Sequence, residues 1–152
     1  DIGIIYSIII CCAMLSFSAL VSVAHLHFYW AFGGHWGIDY ALPKSDTQTL
    51  AKPGRAITVA VALFLFFCAG MILVRLGLFG FSRSITAWID AALAVLFFLR
   101  ALGGFIPIGF LIKLKGSKFA FMDLRVYSPL CFFLAATFLV LMFRSYMFIP
   151  IK

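Results

Sequence analysis

No glutamate occurs anywhere in the 152 residues, and the acids number only five: Asp1, Asp39, Asp46, Asp90 and Asp123. Charged residues make up 11% of the chain, against roughly a quarter in an ordinary soluble domain. So few polar side chains cannot cover the surface of a soluble fold. This excludes a soluble globular protein, a disordered chain and a disulfide-stapled secreted module. The four cysteines, Cys11, Cys12, Cys68 and Cys131, form no Cys-x-x-Cys pair and all lie in apolar runs. That setting suits buried small hydrophobes better than redox thiols. A serine elbow, paired carboxylates and a phosphate-binding glycine loop are also missing. So is the ten-residue alternation of a membrane β-barrel.

What the chain has is oil. Hydrophobic residues make up 65% of it, with 19 phenylalanines, and the mean hydropathy is +1.16. Apolar runs predict helices over about 2–32, 56–79, 85–112 and 126–149. Helices satisfy their own backbone hydrogen bonds in lipid, and ~20 residues cross a bilayer. The expected fold is therefore all-α, one integral membrane bundle of four transmembrane helices filling residues 1–152.

Twelve Lys and Arg outnumber the acids. They are scattered, which excludes a nucleic-acid interface. Four spans place loops 33–55 and 113–125 at one end, here the wide end, with Lys44, Lys52, Arg55, Lys113, Lys115, Lys118 and Arg125. The narrow end holds Arg75, Arg83, Arg144 and Lys152. The positive-inside rule then puts the wide end in the cytoplasm.

Charges within apolar runs need a partner or water. The short hairpin at residues 80–84 brings Arg75 and Asp90 to similar depth, and Arg144 reaches the same level. Asp90 is expected to pair with Arg75 or Arg144 as a clamp between helices. Arg100 lies far along the third helix, just before Gly103-Gly104 and Pro107. It is read either as an anchor for an anionic headgroup or as a cap on loosened carbonyls.

The first helix ends in His25-Leu26-His27-Phe28-Tyr29-Trp30-Ala31-Phe32-Gly33-Gly34-His35-Trp36-Gly37. Tyr and Trp there mark the headgroup level, and the glycines end the helix. His25 and His27 stand ~200° apart on a helix and cannot share a face. With no glutamate to complete a ligand set, no metal and no cofactor are expected.

The run His27-x-Tyr29-Trp30-Ala31-x-Gly33-Gly34-x-Trp36-Gly37, followed by Ala41-Leu42-Pro43, resembles the domain-of-unknown-function family 3995. Arg100-Ala101-x-Gly103 with Gly109-Phe110 resembles that family's third-helix motif. Phe119-Ala120-x-x-Asp123-x-x-x-Tyr127-Ser128-Pro129-Leu130-Cys131 resembles the start of its fourth helix. Gly104-Phe105 departs from the pattern, where an acidic residue is expected. The resemblance implies a small multi-pass protein of bacterial type, in the inner or plasma membrane, and brings no established activity.

Residue reading and resemblance meet at the wide end. His27, Tyr29, Trp30, Trp36, Arg100, Asp123 and Tyr127 are the candidate lining of a polar-aromatic pocket. The expected function is binding of a lipid or small amphiphile, or an accessory role in a larger membrane complex or homo-oligomer. Asp123 capping the fourth helix, with His27 and Tyr127 tying loops, is the purely structural alternative. A membrane-embedded enzyme, with His27 as acid/base, Asp123 orienting it and Tyr127 donating, requires all three within hydrogen-bond reach. A transporter or channel ranks last, because four helices leave little pore and no inverted repeat is evident.

Overall fold

A computed structural model describes residues 2–41, 44–45, 48–49, 54–103 and 118–147. Outside them lie Leu42, Pro43, Lys52, Gly104, Pro107, Lys113 and Lys115, and the expected helix ends at 112 and 149. Four helices are long and apolar enough to cross a membrane. In chain order the elements are α1 (Ile2–Ala31), α2 (Ile38–Ala41), α3 (Arg55–Arg75), α4 (Arg83–Gly103), α5 (Lys118–Met122), a π-helical turn (Asp123–Tyr127) and α6 (Ser128–Met147). Between α2 and α3, β1 (Lys44–Ser45) and β2 (Gln48–Thr49) pair antiparallel, Lys44 opposite Thr49 and Ser45 opposite Gln48.

Two boundaries differ from the sequence reading by more than two residues. The second helix stops at Arg75 and not at 79, because Gly77 adopts φ 94°. Its N–H reaches Val74 O at 3.1 Å, while Leu78 N–H reaches Leu73 O at 3.2 Å. This is the Schellman pair of bonds, which needs a left-handed residue and so selects glycine. The fourth span starts at Lys118, eight residues earlier than expected, because the basic-aromatic segment winds into helix instead of looping.

The helices associate mainly as two couples, α1 with α3 and α4 with α6. Small residues let the backbones approach: Ala13 and Ala24 on α1, Ala62 on α3 and Ala101 on α4 are all fully buried. Larger groups fill the centre, among them Leu20, Ile72, Phe97, Phe138 and Leu141. Phe97 and Phe138 stack with centroids 5.9 Å apart and join α4 to α6. Lipid tails are as apolar as these side chains, so burial alone hardly drives the couples together.

Polar bonds cross the seam instead. Near the middle of α1, Ser16 Oγ lies 2.8 Å from Thr137 Oγ1 on α6. Thr137 already donates to Phe133 O at 3.0 Å, so Ser16 supplies the proton. At the narrow end, Arg75 of α3 contacts Asp90 of α4 through Nε and Oδ2, with their side chains 5% and 0% exposed. Arg75 also donates to Thr86 Oγ1 at 2.9 Å and to Leu141 O of α6 at 3.3 Å. One guanidinium of α3 thus bonds two other helices, α4 and α6. Arg144 is not part of the ion pair, which corrects its inclusion with Asp90. It donates to the Tyr6 hydroxyl at 3.1 Å and lies 4.8 Å from the Tyr6 ring centroid, tying α6 to α1.

Removing the Asp90 charge strands a buried guanidinium, a change that costs on the order of 3 kcal/mol. Asp90→Asn should therefore lower the melting temperature in detergent markedly. The double variant Arg75→Met with Asp90→Leu, which removes both charges, should recover much of the loss. An Asp90→Asn protein melting like the parent would show that the pair clamps nothing.

Candidate functional site

The wide-end candidates fall into two groups. The first is built by the end of α1. Gly33, at φ 97°, turns the chain, with Gly33 N–H on Trp30 O at 3.1 Å and Gly34 N–H on Tyr29 O at 2.9 Å. The reversal lays the Tyr29 ring against Gly34, where an added Cβ would meet ring carbons at 2.3 Å. It also brings Trp36 back over the helix end. Trp30 Nε1 donates to Trp36 O at 2.9 Å, and Trp36 N–H reaches the Tyr29 hydroxyl at 3.4 Å. The Trp36 ring is 75% exposed, a placement suited to the lipid headgroup level.

His27 joins this group and not the acid. Its ring packs edge-on against Trp30 with centroids 5.2 Å apart, and its Nδ1 lies 2.8 Å from Val23 O. A carbonyl only accepts, so Nδ1 carries the proton. His25 makes the same bond to Val21 O at 2.8 Å and packs on Phe66. Among the described residues no three His, Cys, Asp or Glu side chains cluster as metal ligands would.

The second group is built by α4 and the π turn. Pro129 lies two residues past that turn. Proline has no N–H for Arg125 O, and in a regular helix its ring would strike that carbonyl. The backbone widens, and Ser128 N–H bonds Asp123 O, five residues back, instead of Leu124 O. Leu124 and Arg125 carbonyls thereby lose their α-helical donors. Widening also seats Ser128 one turn above Asp123, fully buried, with a hydroxyl that has no partner among the described residues.

Asp123 accepts from Arg100 Nη2 at 2.6 Å, a short charge-assisted bond. The arginine side chain is 43% exposed and the aspartate 10%. Among the described residues Arg100 makes no other hydrogen bond. Tyr127 donates to Tyr40 O of α2 at 3.2 Å, and its ring lies 6.4 Å from that of Phe119. Arg125 stacks over Phe121 at 4.5 Å.

Arg100, Asp123 and Tyr127 thus stand at one place, and His27, Tyr29, Trp30 and Trp36 at a second. The Tyr127–Tyr40 bond links α6 to the segment that follows α1. Among the described contacts His27 bonds Val23 O and makes no hydrogen bond to Asp123 or Tyr127. Ser128 was missed from the sequence, although Ser128-Pro129 inside an apolar run was its available signal.

The model of the family described as "Protein of unknown function (DUF3995)" matches residues 20–138. The chain belongs to the DUF3995 family. That stretch holds every residue of both wide-end groups and the Arg75–Asp90 pair. No curated protein and no solved structure matches the chain.

Gly34→Ala should displace the Tyr29 ring and release Trp36 from the α1 end. Tryptophan emission should shift to longer wavelength while far-ultraviolet circular dichroism stays helical. Unchanged emission would mean that the fold-back does not depend on Gly34.

Proposed function

We propose that this DUF3995 protein binds a membrane-resident amphiphile at the wide end, with Arg100 as the anchor for its anionic group. The observation that carries the reading is the state of the Arg100 guanidinium. One nitrogen is held by Asp123, the arginine side chain is 43% exposed, and among the described residues it makes no other hydrogen bond. Arginine presents paired donors that match a phosphate or carboxylate. An arginine needed only for packing would have its donors consumed internally, as Arg75 largely does.

The surroundings support an amphiphile. Exposed Trp36, Tyr29, Phe121 and Leu124 stand at the same end, which suits a site at the headgroup boundary. In the same reading this end faces the cytoplasm, where seven basic residues against four would meet anionic lipid. A thiol reagent that cannot cross the membrane should then label Trp36→Cys only after cells are opened. Labelling of intact cells would reverse the orientation.

Arg100→Gln should cut retention of phosphatidylglycerol during purification by about tenfold, the scale of one charge-assisted contact. Native mass spectrometry of the detergent-solubilised protein reads this directly. Arg144→Gln, a change at the other end, should retain as much lipid as the parent. Equal retention by Arg100→Gln and parent would overturn the reading.

A further inference from the structure

The connection between α3 and α4, residues 76–82, reads Leu-Gly-Leu-Phe-Gly-Phe-Ser. It has no charged and no amide side chain. The connection between the first two spans, by contrast, carries Asp39, Lys44, Asp46, Gln48 and Lys52. A turn that projects into water ordinarily draws on such polar residues. Here Leu78 is 62% exposed, Phe79 53% and Phe81 66%. Ile85 and Trp88, both exposed and three apart, carry the apolar surface onto one face of α4.

The backbone of the connection suits a setting poor in water. Leu76 N–H bonds Ile72 O at 2.9 Å, Gly77 and Leu78 donate in the Schellman pair, and Phe81 N–H bonds Phe79 O at 3.2 Å. Ser82 O accepts from both the N–H and the hydroxyl of Thr86, each at 3.1 Å. Polar backbone groups near hydrocarbon must be satisfied inside the protein, and these are.

Depth agrees. α3 has 21 residues, about 30 Å at 1.5 Å per residue, which is roughly the thickness of the hydrocarbon core. With Arg55 at the wide boundary, Arg75 closes the helix at the narrow one, and the connection begins where the headgroups begin. Large apolar side chains at that level gain by turning toward the acyl chains. Trp88, near the start of α4, is of a residue type that favours the same boundary.

We propose that the 76–82 connection is a lipid-embedded cap. Leu78, Phe79 and Phe81 rest in the headgroup–acyl boundary of the narrow-end leaflet and hold that end of α3 and α4 at a set depth. Continuity selects a bilayer over a protein partner: the apolar tip runs directly into two spans whose outer faces already meet lipid, and its hydrogen bonds are made within the chain.

A fluorescent aromatic amino acid, introduced by stop-codon suppression in place of Phe79 or of Phe81, reads the surroundings of the tip. Both positions are exposed, so the label does not enter the core. The protein is placed in phosphatidylcholine nanodiscs. Emission is quenched in turn by a nitroxide held near the top of a lipid's acyl chain and by iodide in the buffer. A label in place of Val95, exposed midway along α4, sets the lipid limit. At 79 and 81 the nitroxide lipid should quench about threefold more strongly than iodide, as for a group seated in the headgroup–acyl boundary. Dominant iodide quenching at either position would put the tip in water. Protection from both quenchers would put it under a partner protein or a second copy. Either result overturns the cap.

Discussion

Arg75 lies 5% exposed and Asp90 0% exposed inside an apolar bundle, and neither charge could stay there alone. A charge at membrane depth costs a few kcal/mol even on permissive insertion scales. The pair offsets that cost, and in doing so fixes the register of α3 against α4. Because Arg75 also reaches Leu141 O, the same requirement fixes α6. Apolar helices in lipid slide and rotate cheaply against one another, since one apolar face is nearly as good as another. The directional bonds of Arg75, of Ser16 with Thr137, and of Tyr127 with Tyr40 O remove that freedom at the narrow end, the middle and the wide end.

Much of this was legible in the residues. Apolar runs of spanning length located the four helices, since lipid permits few other solutions. Gly33-Gly34 marked the end of α1. The depth of Asp90 could be read, but the choice between Arg75 and Arg144 could not, because it depends on which faces the helices present after packing. Which wide-end polar residues bond one another could not be read either, for the same reason. His27 and Trp30 are three apart and pack on each other along α1, whereas Asp123 and Tyr127 line a different helix. Linear proximity to one membrane face does not decide which side chains meet.

Pro129 shows how one residue shapes a site at a distance. It cannot supply the hydrogen bond that Arg125 O requires, so the turn before it opens to five residues. That turn carries both Asp123 and Tyr127, and each points to a different neighbour: Asp123 to Arg100 on α4, Tyr127 to Tyr40 O on α2. The Ser128 hydroxyl, buried just past the same turn, has no partner among the described residues.

Among the described residues stand two Arg–Asp pairs, one toward each end, and they differ in enclosure. Arg75 is enclosed: its nitrogens meet an acid, a hydroxyl and a carbonyl from two other helices, and the set is sealed from outside. Among the described residues Arg100 is held at a single nitrogen, by an acid that is itself nearly covered, and its side chain is 43% exposed. The enclosed pair holds helices together and has little capacity left for anything else. The open pair adds less to stability, because exposure weakens its attraction by solvent screening. The proposed anion contact would draw on that exposure, since a guanidinium already oriented by Asp123 loses little entropy on binding.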